Sequence, residues 1–379
     1  MDWTGRFPHY EYFSTLEGEH RFNLAESTAE DLLLGELIDL IGLDTIRNIR
    51  LEYSSVAGLA ALRAEIGKRC ESPPDWVMTT QGAALGLYLV ASELARPKAV
   101  AVLAAPYFLP SYDTLVANGW QVRVVRGDFD HDYRLDADVI GAALCPRTGL
   151  VSLASPQNPA GIVTPEATLQ AILDRMAQRS PEAYLLVDET YREATYDDDE
   201  VAASAVNLSP RVITCASLSK AHGAPGLRTG WLTTPDADLR ERLMAAKRNM
   251  SICDSSLTEQ LATALLKNAA SFIARYRRKV SAGLRIVAQW QAEEADRLGW
   301  VRPDAGAICC MRLNPRLFDG GAVATFWQAL ADYDVLLRPG SLFGEDDSYF
   351  RLGFGYLPVE RLLEGLALIS RALDHAESH

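Results

Sequence analysis

The chain has 379 residues, of which 48% are hydrophobic and 23% charged, and its formal net charge is -13. A chain of this length buries a large core and is expected to form two or three domains. Because no basic tract offsets the negative charge, a protein that binds nucleic acid through the phosphate backbone is excluded. No apolar run approaches the roughly 18 residues of a membrane helix, and no secretory signal is visible. We therefore expect a cytoplasmic protein without a membrane partner.

The cysteines and histidines do not follow the spacing of metal ligands. The six cysteines show no C-x-x-C pair, and the six histidines are scattered along the chain. Such cysteines are typical of reduced, mostly buried thiols in a cytoplasmic protein. We predict that no metal is bound.

Apolar runs alternate with amphipathic stretches between residues 75 and 235. The runs predict strands at 99–106, 120–125, 150–155, 184–189, 211–219 and 228–234. The stretch 164–179 opens with Thr and Pro, as a helix commonly does. Nearly continuous apolar strands that alternate with helices indicate an α/β domain, with a mainly parallel sheet covered on both faces. In such sheets ligands bind at the carboxyl ends of the strands.

The carboxyl-terminal third predicts a smaller α+β domain. Residues 255–297 have few helix breakers and indicate a long connecting helix. Beyond it the pattern predicts strands at 306–313, 335–340 and 349–355, and helices at 320–333 and 358–376. We predict three parts: an amino-terminal segment 1–45 that joins the small domain, a large domain 46–260, and the connecting helix with the small domain, 261–379.

Polar residues of the kinds that catalyse reactions or bind ligands follow successive strands of the large domain. Asn158 lies in the turn "PQNPAG", Asp188 ends a strand with Tyr191 three residues later, and Lys220 follows the next strand. Before them, "TTQGAALGLYLV" (79–90) runs from a glycine turn into a helix. Each feature alone is common in ordinary proteins. Together, at successive strand ends, they predict one shared site.

This combination resembles the pyridoxal-phosphate (PLP) enzymes of fold type I, and specifically the class I/II aminotransferases. The resemblance implies an aspartate aminotransferase-like large domain, a smaller α+β domain and PLP as cofactor. It implies that Lys220 forms the Schiff base with the cofactor aldehyde and moves the substrate α-proton through a quinonoid. It also implies that Asp188 pairs with the pyridine nitrogen, and that Asn158 and Tyr191 bind the ring hydroxyl.

The same resemblance implies a phosphate cradle around the loop "SLSKAHGAPGLRTGW" (217–231). Gly82 and Ala83 open a helix, whose free N–H groups favour an anion. The resemblance assigns Ser217, Ser219 and Arg228 to the same phosphate. Many relatives carry a Ser or Thr hydroxyl in the 79–84 turn, where this chain has Gln81 and Ala83. Thr80 is the candidate replacement.

Three further positions match the family. Phe108 stands where an aromatic ring stacks on the pyridine, with Tyr107 and Tyr112 as alternatives one alignment shift away. Tyr53 matches the tyrosine that reaches the phosphate of the other subunit, which implies a homodimer with a shared active site. Arg351, in "YFRLGFG", matches the arginine that binds the α-carboxylate of an amino-acid substrate.

A second resemblance concerns the reaction. The segments "FNLAES" (22–27), "LSKAHGAPGLRTGW" and "FRLGFGY" are similar to those of the capreomycidine synthase-like group. That likeness implies elimination from a hydroxyarginine and ring closure, in specialised antibiotic biosynthesis. It also implies acidic residues that contact a guanidinium, for which the candidates are Glu11, Glu17, Glu26 and Asp31. Transamination of an α-amino acid is the first expectation, and elimination with cyclisation is the alternative.

Overall fold

The structure is a computed structural model that describes residues 6–9 and 20–378. Its strands are β1 Phe22–Asn23, β2 Val77–Thr80, β3 Val100–Ala105, β4 Gln121–Arg126, β5 Thr148–Ala154, β6 Tyr184–Asp188, β7 Val212–Ser217, β8 Gly230–Thr233, β9 Leu298–Val301, β10 Ile308–Leu313, β11 Val335–Leu336, β12 Arg338–Pro339 and β13 Tyr349–Gly353. Its described helices are α1 Leu34–Ile41, α2 Leu43–Arg47, α3 Ala60–Cys70, α4 Gly82–Leu94, α5 Leu109–Ala117, α6 Ala137–Ala143, α7 Glu166–Arg179, α8 Ala237–Ser251, α9 Ser256–Lys267, α10 Ala269–Glu293, α11 Gly320–Asp332 and α12 Val359–Glu377. None of the described helices has the length and apolar character to span a bilayer.

The large sheet has seven strands in the order β2-β8-β7-β6-β5-β3-β4. Strands β3 to β7 run parallel, and only β8 opposes its neighbours. Alternate residues of β3 enter different cores: Ala101 and Leu103 pack with α4, whereas Val102 and Ala104 pack with α7. Both faces of the sheet are therefore covered, as a parallel sheet requires. The prediction of an α/β fold with a mainly parallel sheet is confirmed.

A second sheet forms a separate layer in the carboxyl-terminal part. Its four strands, in the order β12-β13-β10-β9, pair antiparallel. Helices α10, α11 and α12 cover one face and share a hydrophobic core with β10 and β13. This arrangement of helices on an antiparallel sheet is the expected α+β pattern.

The amino-terminal segment contacts both layers. Phe22–Asn23 pairs in parallel with β11, and the Leu24 carbonyl accepts the Gly353 N–H at 2.7 Å. Farther along, Leu37 is buried among Leu62 and other residues packed on the large sheet. The segment therefore crosses from one layer to the other. The predicted domain boundaries stay predictions.

Two predicted elements differ in detail, and one strand of the large sheet was not predicted. The stretch 255–297 forms two helices rather than one, because Asn268 leaves helical geometry (φ -112°, ψ 15°) and its side chain bonds the Ala264 carbonyl. The stretch 335–340 splits into β11 and β12, whose hydrogen-bond partners lie in different sheets. Strand β2 is not predicted by the apolar runs, because only Val77 and Met78 of its four residues are apolar and two threonines follow them.

A buried cation joins α8 to the loop before α3. The Lys247 side chain has no exposed surface, and its ammonium donates to Asp254 Oδ2 at 2.6 Å. It also donates to the carbonyls of Val56 and Thr79, each at 2.8 Å. A buried charge of this kind is tolerated because the ammonium pairs with a carboxylate and donates to two carbonyls. Lys247 therefore holds the loop at Val56 against Thr79 of β2.

We expect Lys247→Met to lower the free energy of unfolding by about 3 kcal/mol, because it leaves the Asp254 carboxylate and two carbonyls buried without their donor. Denaturant unfolding at one fixed protein concentration measures the change. The matched control is Lys68→Met, which removes a lysine that is 71% exposed together with its pair to Glu65, and should change stability by less than about 1 kcal/mol. Equal unfolding midpoints for the two variants would contradict the proposed role of Lys247.

Candidate active site

A cavity of about 300 Å³ lies at the carboxyl ends of the parallel strands, closed on the far side by the amino-terminal segment. Most of the residues selected from the sequence line it: Glu26, Ala83, Phe108, Asn158, Asp188, Tyr191, Ser217, Ser219, Lys220 and Arg228. Strand register explains the convergence, since Ala154 of β5, Asp188 of β6 and Cys215 of β7 lie side by side. The turns that follow these strands therefore open at the same edge.

Lys220 lies in the turn after β7 and extends into the cavity. Its ammonium donates to Ser27 Oγ at 2.7 Å and lies 5.6 Å from the centre of the Tyr191 ring. In the described part of the chain no carboxylate forms a salt bridge with it, although its charge acts through space to lower the pKa of Glu26 and of Asp188. An amine placed in this way, at the centre of a cavity, is suited to attack a carbonyl.

Asp188 ends the central strand β6 and lies in the wall of the cavity, where it is partly exposed. Its Oδ1 accepts the N–H and the hydroxyl of Thr190. Burial raises the pKa of the Asp188 carboxyl, and the Thr190 hydrogen bonds and the Lys220 charge offset only part of that effect. A cationic N–H group of a ligand would pair with this carboxylate and restore its charged form.

Tyr191 and Asn158 face the same space. The Tyr191 hydroxyl is buried and has no hydrogen-bond partner among the described residues. Asn158 Oδ1 accepts from Arg351 Nη1 at 3.0 Å. Arg351 is buried beside the cavity, donates from Nη2 to the Ala25 carbonyl at 2.7 Å, and lies over the Phe343 ring. A buried polar atom without a partner indicates a position that a ligand atom completes.

The opposite end of the cavity is built to hold an anion. Helix α4 begins at Gly82, which has a φ of +77°, and a Cβ there would lie 2.4 Å from Arg228 Nη2. A Cβ at Gly230 would lie 2.6 Å from the Ala83 nitrogen. These glycines let a helix N-terminus, strand β8 and a guanidinium meet without side chains between them. Thr80 donates its hydroxyl to the Gly82 carbonyl at 2.8 Å, so it supports this turn rather than lining the cavity.

Two carboxylates of the amino-terminal segment line the cavity. Burial acts to raise the pKa of Glu26, but the Lys220 charge, the Ser27 N–H and the Arg351 charge together lower it. Burial and the nearby charge of Glu26 raise the pKa of Asp31. The neighbouring Glu30 pairs with Lys279 at 3.5 Å, whereas within the described residues neither Glu26 nor Asp31 forms a salt bridge. The wall is therefore negative and open to a cation.

The remaining candidates fall elsewhere. Phe108 is in the cavity wall, whereas Tyr107 and Tyr112 stack on each other with ring centres 5.4 Å apart. Tyr53 does not line the cavity of its own chain, and its side chain is 82% exposed. Glu11 and Glu17 lie outside the described residues.

Sequence reasoning missed four polar side chains that line the cavity: Ser27, Thr28, Thr190 and Tyr356. Thr190 had a signal, because a hydroxyl two residues after a strand-end aspartate commonly bonds it. Ser27 and Tyr356 gave none, because they come from distant parts of the chain and meet Lys220 and Glu26 only in the folded state.

Residues 38–367 match the family described as aminotransferase class I and II. The chain belongs to that family. It is 29% identical to capreomycidine synthase of Streptomyces vinaceus, over 94% of this chain and 88% of that protein. It is 27% identical to the arginine–pyruvate transaminase of Pseudomonas aeruginosa, over 87% of this chain and 85% of that one.

Solved structures agree in fold. A PLP-dependent aminotransferase from Streptococcus suis superimposes with a TM-score of 0.86 at 24% identity, covering 97% of each chain. The enzyme is therefore an aspartate aminotransferase-like protein of fold type I, and its cofactor is PLP.

The cavity fits that cofactor at both ends. The open helix start at Gly82 with Arg228 beside it suits a phosphate, and the buried Asp188 carboxylate suits a protonated ring nitrogen. The Tyr191 hydroxyl, which lacks a partner among the described residues, suits a ring oxygen. The charged and polar groups of the cavity therefore follow the order of the groups along the cofactor, from the phosphate through the ring to the aldehyde.

We expect Lys220→Ala to bind PLP only non-covalently, because no other amine lines the cavity within the described residues. Borohydride reduction followed by peptide mass spectrometry should place the reduced cofactor on the Lys220 peptide of the unaltered enzyme and on no peptide of the variant. The surface variant Lys267→Ala serves as control and should label normally. A reduced cofactor on any other lysine would contradict the assignment.

Proposed function

We propose that the enzyme transfers the amino group of an α-amino acid whose side chain ends in a guanidinium. Membership of the aminotransferase family supports the reaction type. The names of two relatives, capreomycidine synthase and arginine–pyruvate transaminase, support an arginine-like substrate. The single observation that carries the substrate class is the pair of carboxylates, Glu26 and Asp31, in the cavity wall.

Cofactor binding is assigned to the residues that the cavity brings together. Bound PLP supplies an electron-accepting ring that stabilises negative charge at the substrate Cα. Lys220 would hold its aldehyde carbon and then carry the α-proton on Nζ. Asp188 would keep the ring nitrogen protonated, and Phe108 would pack on the ring. The remaining contacts would be to the ring oxygen, from Asn158 and Tyr191, and to the phosphate, from Gly82, Ala83, Ser217, Ser219 and Arg228.

Arg351 is the proposed site for the substrate α-carboxylate. Its guanidinium is buried, and Asn158 and the Ala25 carbonyl hold two of its nitrogens in place. A buried, oriented guanidinium binds a carboxylate through paired charge-assisted hydrogen bonds. With the α-carboxylate at Arg351 and the α-amine at Lys220, the side chain of the substrate is directed along the amino-terminal segment. Glu26 and Asp31 line that path.

A second reaction, elimination of water from a hydroxyarginine followed by ring closure, has one observation in its favour. The Ser27 hydroxyl contacts Lys220 and also lines the cavity, so a second proton-bearing group adjoins the lysine. Transamination needs only the amine, whereas loss of a hydroxyl group needs an acid for the leaving oxygen.

The test is a substrate comparison. PLP-loaded enzyme is mixed with arginine, β- or γ-hydroxyarginine, aspartate, alanine and an aromatic amino acid, and the cofactor spectrum and product masses are followed. Formation of a keto acid and pyridoxamine phosphate from arginine supports transamination. Loss of the mass of one water from a hydroxyarginine, with no amino acceptor required, supports elimination. If only neutral or acidic amino acids react, the guanidinium proposal is wrong.

We expect binding of arginine to weaken as the pH falls through the pKa of Asp31, which is raised and therefore protonates before Glu26. Asp31→Asn should weaken arginine binding by about fivefold, since the pair is partly exposed, and should remove that pH dependence. Citrulline has the same length but a neutral end, so its binding should stay within about twofold in both enzymes. An equal effect of Asp31→Asn on both ligands would contradict the proposed contact.

We also propose a homodimer in the cytoplasm. Leu51 and Tyr53 are 83% and 82% exposed on a loop that is nevertheless firmly held. Ser256 donates its hydroxyl to the Arg50 carbonyl at 3.1 Å, and Glu259 accepts the Ser54 hydroxyl, so the stretch 50–54 is held at both ends. Apolar side chains displayed on a fixed loop support an interface.

The six free thiols fit a reducing compartment.

We expect Leu51→Glu to shift the enzyme towards monomer, because it places a charge in the proposed interface. Sedimentation velocity measures the change, and Leu363→Glu, at a site 51% exposed on α12, is the control.

Tyr53→Phe should keep the dimer and weaken PLP retention by about 1 kcal/mol, the value of one hydrogen bond. A fully active monomer would contradict the shared site.

A further inference from the structure

Ser27 occupies a position that the cofactor assignments do not use. It lies on the amino-terminal segment, yet its Oγ is 2.7 Å from Nζ of Lys220, 193 residues away in the chain. Its backbone N–H donates to Glu26 Oε1 at 2.7 Å, which leaves its side chain directed to the lysine. Ser27 is buried in the wall of the cavity.

The backbone around Ser27 is fixed by close packing. The Ala25 carbonyl accepts from Arg351, and the Leu24 carbonyl accepts the Gly353 N–H. A Cβ at Gly353 would lie 1.9 Å from the Glu26 carbonyl oxygen, so strand β13 touches this backbone directly. The distance between Ser27 and Lys220 is therefore set by two independent attachments rather than by a free loop.

The Ser27 hydroxyl has a proton to give. Its oxygen accepts from the Lys220 ammonium, and within the described residues its own hydrogen has no acceptor. A hydroxyl that accepts from an ammonium and faces a cavity can pass a proton to a third atom in that cavity. The substrate path proposed above places Cβ of the amino acid on this side of Lys220.

We propose that Ser27 relays a proton from Lys220 to a hydroxyl group leaving Cβ of the substrate, and so enables loss of water. This role rests on the second reaction of the proposed function. Lys220 first removes the α-proton. The Cα electron pair then forms the Cα=Cβ double bond as the Cβ–O bond breaks with its pair. Ser27 Oγ gives its proton to the departing oxygen and receives one from Lys220 Nζ. One water is lost, the amine is neutral again, and no oxidant or reductant is needed.

A comparison of leaving groups tests the relay. Serine and β-hydroxyarginine lose water only with an acid, whereas β-chloroalanine loses chloride without one. Ser27→Ala should therefore reduce loss of water by on the order of 100-fold and leave chloride loss and exchange of the α-proton in D₂O within about threefold. Retained chloride loss shows that the variant folds and binds PLP.

A second measurement does not depend on turnover. In the enzyme freed of PLP, competitive acylation at one fixed pH, read by peptide mass spectrometry, gives the rate at which Lys220 reacts relative to the other lysines. Ser27→Ala removes the acceptor of the Lys220 ammonium and should therefore raise that relative rate. An unchanged rate would mean that the contact contributes no free energy and would overturn the proposal.

The remaining results of the leaving-group comparison would contradict the relay or restrict its substrate. If Ser27→Ala lowers the rates of water elimination and chloride elimination equally, Ser27 has a structural role. If the rate of water elimination is unchanged, Ser27 has no role in that step. An unaltered enzyme that releases chloride but never water overturns the relay. If serine is a substrate and hydroxyarginine is not, the guanidinium proposal fails on its own, and the serine and chloroalanine pair alone decides the role of Ser27.

Discussion

Burial of one carboxyl group at the end of the central strand organises the site. Asp188 lies where β5, β6 and β7 end in register, and desolvation disfavours its charge. Such a group is stable as an anion only when cations and donors are placed around it. Lys220 and the two donors of Thr190 supply part of that stabilisation, and a protonated ring nitrogen would supply the rest. The charge of Asp188 therefore affects both the electronic properties of a bound cofactor and the stability of this end of strand β6.

The second constraint is the attachment of the amino-terminal segment. It pairs with β11 at one end, packs into the core of the large sheet at Leu37, and is held at Leu24–Glu26 by Gly353 and Arg351. Segments that join two layers adopt one position when both attachments are strong. The same short stretch contributes Glu26 and Ser27 to the cavity. The side chains proposed to select the substrate and to deliver the proton therefore both belong to a segment that lies outside the large sheet.

Local signals revealed the part of the site that belongs to the parallel sheet. Lys220, Asp188 and Asn158 follow apolar runs, and the position of a strand end can be read from the chain itself. Ser27 and Tyr356 have no such signal, because their contacts join residues hundreds of positions apart and depend on how the amino-terminal segment packs. The same limit explains the divided strand at 335–340, where the choice of partner strand, rather than propensity, sets the boundary. Asn268 interrupts the long helix through its own side chain, which periodicity does not register.

The charged side chains of the cavity bear on two proposals at once: which substrate binds and which reaction follows. Glu26 has a lowered pKa because the Lys220 charge, the Ser27 N–H and the Arg351 charge outweigh its burial, so it stays ionised where Asp31 begins to protonate. An ionised Glu26 attracts the positive charge of the neighbouring Lys220. Ser27 contacts the same lysine, so the proposed proton relay lies beside this carboxylate. The carboxylate proposed to attract a guanidinium therefore also acts on the lysine that is proposed to deliver the proton.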